Sequence, residues 1–174
     1  PNISNLTKLT NITLDMPMLT TLPDMSNMAN LEALTFKNNS HITTLPTGLT
    51  SQDFPFFKLT IDNCSNLSLS GLNGLPDDKV IVIIQNCTNY TIEGIEAGNK
   101  SIRSIQADDS AGLQLDSSLT NAEKLISLKM ESCNLSELPD WFGEMTQIVT
   151  LEVDSNALTK IPTSVGLLAN LETL

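Results

Sequence analysis

The chain has 174 residues, of which 40% are hydrophobic, 4% aromatic and only 17% charged. Its net charge of -11, from 20 acidic and 9 basic residues, would repel a phosphate backbone, so nucleic acid is excluded as an expected partner. No run of about 18 apolar residues could span a bilayer and no signal-peptide pattern opens the chain, so this segment is expected to make no membrane contact, whether or not a parent protein is anchored elsewhere.

Read from the start, one short unit keeps returning. The first copy has Leu9, then Ile12 and Leu14, then Pro17, Leu19 and the pair Leu22-Pro23. The second repeats it as Leu31, Leu34, Phe36, Asn39, Ile42 and Leu45-Pro46. The third reads Phe56, Leu59, Ile61, Cys64 and Leu67; the fourth, where Lys79 breaks the leading apolar column, reads Val82, Ile84, Cys87 and Tyr90. Next come Ile102, Ile105, Ala107, Ser110 and Leu113, a weak and acidic copy. Leu125, Leu128, Met130, Cys133, Leu135 and Leu138-Pro139 follow. The clearest copy is Ile148, Leu151, Val153, Asn156, Leu158 and Ile161-Pro162, and Leu171 with Leu174 begins another. From Leu59 onward the anchor residues stand 23 apart, and Ile12 and Leu34 precede them at intervals of 22 and 25.

An apolar residue at the anchor and another two places on is strand alternation. Each copy is therefore expected to supply one short strand. Five residues past the anchor stand Asn39, Cys64, Cys87, Ser110, Cys133 and Asn156, small side chains able to donate a hydrogen bond. Coils that turn sharply at this point would bury backbone carbonyls, and a ladder of such donors would satisfy them. Pro17 cannot serve the ladder, so the first coil is expected to be irregular. The prolines that follow later suit an irregular return segment.

The pattern resembles the leucine-rich repeat family, extracellular type, over essentially the whole chain. The resemblance implies an α/β repeat solenoid, a right-handed horseshoe with a parallel concave sheet. It would hold about seven or eight coils of 22–25 residues with mostly irregular or 3₁₀ convex segments. Residues 1–174 are expected to form a single array truncated at both ends within the repeats. The cysteine clusters that cap many extracellular members are absent.

Cys64 and Cys87 would lie about 5 Å apart on neighbouring coils, inside the Cα range of a disulfide, but with side chains running parallel. Cys133 would be two coils further on. All three are read as ladder thiols. With one histidine, His41, in a return turn, no zinc site is expected. Asn-x-Ser/Thr occurs ten times, at Asn2, Asn5, Asn11, Asn38, Asn63, Asn66, Asn86, Asn89, Asn99 and Asn134, well above chance for this composition. The excess favours an extracellular or cell-surface glycoprotein, although the repeat's own turns also favour Asn before Ser or Thr. Asn99, in a Gly-rich return loop, is expected to be the most accessible; Asn5 and Asn11 precede core positions.

No nucleophile–base pair and no phosphate-cradling Gly-rich loop appears, so no catalytic residue, metal or cofactor is expected. Gly94, Gly98 and Gly112 read as turn residues. The strand residues that flank the apolar pair should face the concave surface. Binding candidates there are Asp62, Ile81, Ile83, Gln85, Asp108, Lys129, Glu131, Glu152 and Asp154. Asp15, Asp62, Asp108, Glu131 and Asp154 would form an acidic stripe, either a guide for a basic partner or a solvated face. A calcium site at Asp62, Asp108 and Asp109 is a further reading of the same acids. Ile81 and Ile83 would form a contact patch or be buried by a register shift. Trp141 would pack on the convex side or anchor a ligand. The function expected is protein or peptide recognition by the concave face of a receptor-like or adhesion ectodomain. The alternatives are a structural coat or filament glycoprotein using the repeats as a spacer, and an intracellular sensor or scaffold.

Overall fold

Burying one side of a strand while leaving the other wet requires strands that lie side by side in phase, because a one-residue slip would turn every apolar side chain outward. The computed structural model, which describes residues 3, 5–49, 56–65 and 67–174, has this phase throughout. Its main strands are β1 (Asn11–Asp15), β2 (Ala33–Lys37), β3 (Phe57–Asp62), β4 (Val80–Gln85), β6 (Ile102–Asp108), β8 (Ser127–Glu131) and β9 (Thr150–Glu152). They form one parallel sheet in the order β1-β2-β3-β4-β6-β8-β9. The pairing aligns Leu34, Leu59, Val82, Ile105, Leu128 and Leu151 directly, and a bridge from Thr150 to Thr173 starts the next rung. Two short strands on the return side, β5 (Thr91–Ile92) and β7 (Gln114–Leu115), pair with each other.

The six anchors from Leu34 to Leu151 are fully buried, as are Ile61, Ile84, Ala107 and Met130 two places on. Each large aliphatic side chain so placed contributes about 1.5–3 kcal/mol. The alternation of β4 is strict, with Val80, Val82 and Ile84 inside and Ile81 and Ile83 half-buried on the other face. No register shift buries these two isoleucines. The one irregularity lies between Val80 and Ile81, where β6 carries an extra residue, Arg103.

Two sequence expectations are corrected here. Phe56 is 44% exposed, and Phe57 is fully buried in its place. Likewise Val80, fully buried, fills the core position of the column that Lys79 breaks in the sequence. Both β3 and β4 start one residue closer to the anchor than the leading column implied, so the apolar side chain enters the core as part of the strand.

The return segments turn through 3₁₀ helices at Leu69–Leu72, Ser117–Asn121, Asp140–Glu144 and Thr163–Leu167. Pro139 and Pro162 occupy the N-caps of the last two, with extended backbone and no amide proton to leave unsatisfied. No helix among the described residues is long and apolar enough to cross a membrane.

Candidate binding surface

The chemistry of the concave face depends on how each strand is ended. Four places past the anchor the backbone takes a left-handed conformation at Asn38, Asn63, Asn86, Asp109, Ser132 and Ser155, with φ between 48° and 56°. Asn and Asp tolerate this region better than other residues with a side chain. In the first five, the residue's N–H donates to a carbonyl of the next coil three places past its anchor: Asn38 to Asp62, Asn63 to Gln85, Asn86 to Asp108, Asp109 to Glu131 and Ser132 to Asp154, at 3.0–3.2 Å. This column went unnoticed in the sequence, although Asn or Asp occupies four of its six places.

The next residue turns inward. Asn39 donates to the Met16 and Leu19 carbonyls and accepts from the His41 and Ile42 amides. It thereby ties down the coil in which Pro17 cannot donate; the Pro17 carbonyl lies 3.0 Å from the His41 ring. The Cys64 thiol donates to the Asp62 carbonyl, Cys87 to those of Ile61 and Gln85, Ser110 to Asp108, and Cys133 to Ala107 and Glu131. Asn156 donates to Met130, Val153 and Asp154 and accepts from the Cys133 and Leu135 amides. The three cysteines are free and buried. Burial pushes the Cys87 thiol up to about 11 and raises Cys64 and Cys133 in the same direction. Tyr90, buried one step beyond, donates its hydroxyl to the Leu67 carbonyl.

At the other end of the strands a second amide series was also missed. Asn30 donates to the Thr7 carbonyl, Asn73 to Gly94, Asn121 to Ile95, Gln147 to Ala122 and Asn170 to Thr146, at 2.7–3.0 Å. Asn30, Gln147 and Asn170 each stand four residues before an anchor, a spacing visible in the sequence.

Between these two edges the solvent-facing side chains fall into columns. The middle one runs Thr13, Thr35, Thr60, Ile83, Gln106, Lys129 and Glu152. The third runs Asp15, Lys37, Asp62, Gln85, Asp108 and Glu131. Asp154 is exposed and lies beyond the end of β9, outside the paired strand.

The expected acidic stripe is not uniform. Asp15 accepts from Asn38, and Asp62 pairs with Lys37 at 3.1 Å and accepts from Asn86 at 2.8 Å. Burial works to raise the Asp62 carboxyl, but the hydrogen bonds from Asn86, Lys37 and Gln85 outweigh it and hold it below the usual carboxylate range. Further along, Asp108 accepts from Gln106 at 2.6 Å through one oxygen, while its other oxygen is covered and has no partner. Lys129 binds Glu152 at 2.8 Å. That bond raises the Lys129 ammonium against its desolvation, with help from the charges of Glu152, Glu131 and Asp108. Glu131 and Asp154 enter no ion pair among the described residues. Asp62 and Asp108 stand two strands apart across Gln85, and no three metal-ligating side chains converge among the described residues.

The glycosylation candidates divide in an unexpected way. Asn2 and Asn66 lie outside the described residues. Asn5, Asn11, Asn38, Asn63, Asn86, Asn89 and Asn134 are exposed, so Asn5 and Asn11 are not withheld by the core. Asn99, expected to be the most accessible, is only 5% exposed. Its amide donates to the Asn73 side chain and accepts from Ile102 and Ser101, because the Gly-rich loop folds back as part of the second amide edge. Asn38, Asn63, Asn86, Asn89 and Asn134 all have left-handed backbone, and Asn63 donates to Asn38. Trp141 is half-buried on a convex 3₁₀ turn against Phe142, with ring centroids 4.9 Å apart.

No protein-family model and no curated protein matches the chain. Among solved structures it is similar to an internalin from Listeria monocytogenes, with a TM-score of 0.57 and 18% identity over 97% of this chain and 47% of the internalin. It is also similar to a leucine-rich repeat protein from Leptospira interrogans, with a TM-score of 0.50 and 20% identity over 98% of this chain and 38% of the other. The chain thus spans less than half the length of either. The likeness is one of fold, and together with the in-register sheet it makes the chain a leucine-rich repeat solenoid.

Proposed function

We propose that the chain is a protein-recognition module, without enzymatic activity of its own, that docks a protein or peptide on its concave sheet. The observation that carries this reading is the seven-stranded parallel sheet itself. Its outer face presents aligned columns of polar and aliphatic side chains, and among the described residues no other element packs over them. A stiff, curved wall of this kind supplies a large contact area without having to order a flexible loop first. The excess of carboxylates on it favours a basic partner and disfavours nucleic acid.

The test is a screen against displayed peptides and small protein domains, repeated with arginine placed at Thr60, Ile83 and Gln106 on the sheet, and separately at Thr44, Ser136 and Thr159 on the return segments. Concave recognition requires the first set to abolish capture and the second to leave it intact. The opposite pattern would move the site to the convex side.

We further place the protein at the cell surface or outside the cell, on the strength of the exposed sequons. An intracellular scaffold is the second reading, and one observation favours it: Asn38, Asn63, Asn86, Asn89 and Asn134 all have left-handed backbone and so a conformational reason to be asparagine. Expression through a secretory pathway followed by enzymatic deglycosylation separates the two. A mass shift at Asn5, Asn89 or Asn134 supports the surface location, and unmodified asparagines at all three favour the scaffold.

A further inference from the structure

Charge compensation divides the concave wall into unequal halves. On β1 to β3 the outward carboxylates, Asp15 and Asp62, are matched by two ammonium groups, Lys37 and Lys58, and both carboxylates accept hydrogen bonds from neighbouring asparagines. On β6 to β9 there are two cations among the described residues, and both are bound elsewhere: Arg103 to Asp78, ahead of β4, at 2.7 Å, and Lys129 to Glu152 at 2.8 Å, so neither pairs with Asp108 or Glu131. Between the halves stand Ile81 and Ile83, adjacent on the outer face of β4 and half-buried by the residues beside them. Aliphatic side chains rarely line up on a wet sheet face unless something covers them.

We infer that the occupant of this wall is an extended segment carrying one aliphatic side chain and one Lys or Arg three residues apart, lying across β4, β6 and β8. The inference rests on the concave-face reading above and adds the place and the chemistry. The aliphatic group sits on Ile81 and Ile83. The cation reaches Glu131 and Asp108, which are in register on neighbouring strands. Strands stand about 4.8 Å apart, so two strand spacings make about 10 Å, the span of three residues in an extended chain at about 3.3 Å each. Lys58 lies beside Ile81 on the opposite flank and repels a cation placed there, so the charged end of the segment points toward β8 rather than β3.

The test uses a library of acetylated and amidated nine-residue peptides with Leu fixed at the centre and the other positions random, panned against the intact chain. Enrichment of Arg or Lys three residues from Leu is expected, on either side because an extended peptide can lie in either direction. A selected peptide should bind at least tenfold more weakly to Ile83→Thr, which keeps a β-branched strand former in place, and at least tenfold more weakly to Glu131→Lys. The same peptide with Glu replacing its Arg should bind Glu131→Lys better than it binds the natural chain. Peptides that bind equally well to both variants but fail on Thr60→Arg would overturn this inference and leave concave recognition standing. Peptides insensitive to every concave substitution would overturn both. A library with no Leu-to-cation spacing preference, or one that yields no binder, also overturns the inference.

Discussion

The two faces of the main sheet are made from the same strands and obey opposite rules. The inner face is decided by packing: the anchors from Leu34 to Leu151 are fully buried, and the strand ends are closed by Asn39, Asn156 and the thiols and Ser110 hydroxyl between them. On the concave face the residues change from Thr to Ile to Gln to Lys along a single column with no change in backbone register. The comparison teaches that core packing and the composition of the open face fall to alternate residues, so each can vary without disturbing the other. Substitutions can break or sharpen this division.

The largest effect is expected at Leu128→Ala. The side chain is fully buried between two neighbouring rungs, and truncation should cost about 2–5 kcal/mol through lost transfer energy and the cavity left behind. Urea denaturation reads this directly, and a loss under about 1 kcal/mol would show that the inner face is not a packed core. Next comes Asn156→Ala, which strands the Cys133 and Leu135 amides and the Met130 carbonyl together. About 2–3 kcal/mol is expected. Cys87→Ala should cost less, about 1 kcal/mol, because its thiol is a weaker donor at 3.2–3.5 Å. Equal losses for the two would remove the distinction between amide and thiol rungs.

These inner features differ in how legible they are in sequence. The 23-residue recurrence needs only the burial of one strand face, so it is visible without coordinates. The ladder is visible for the same reason, since a buried turn demands donors at a fixed offset. What escaped has a physical cause in each case. Phe56 and Phe57 are both apolar, and only the start of β3 decides which is enclosed. Asn99 looked like a loop residue because glycines surround it, yet Gly98, at φ 79°, turns the chain so that the amide reaches Asn73. The unevenness of the acidic stripe depends on cross-strand pairs such as Lys37 with Asp62, which lie 25 residues apart in sequence.

Asp62 is the concave residue that most tests the separation of the faces. Its folded pKa is lowered, so its contribution to stability is present above the unfolded carboxylate value of about 3.9 and is lost as pH falls through the folded value. Asp62→Asn should therefore flatten the acid limb of the stability profile and leave the slope above about pH 6 unchanged. An unaltered acid limb would show that the Lys37 and Asn86 contacts do not favour the charged form. The smallest effect belongs to Thr13→Arg on the exposed side of β1, expected within about 0.5 kcal/mol. A much larger loss would mean that the concave face also carries the fold.

The central claim is that seven rungs stack in one register, and distances along the middle column test it most directly. The buried native thiols, with Cys87 pushed to about 11, should stay unlabelled while cysteines introduced at Thr13, Thr35, Lys129 and Glu152 take spin labels. Thr13 to Lys129 and Thr35 to Glu152 each span five rungs at about 4.8 Å, so pulsed electron resonance should return matching distances near 24 Å. Thr13 to Glu152, across six, should be about 5 Å longer. Unequal five-rung distances, or a six-rung distance no longer than they are, would contradict the stacked solenoid.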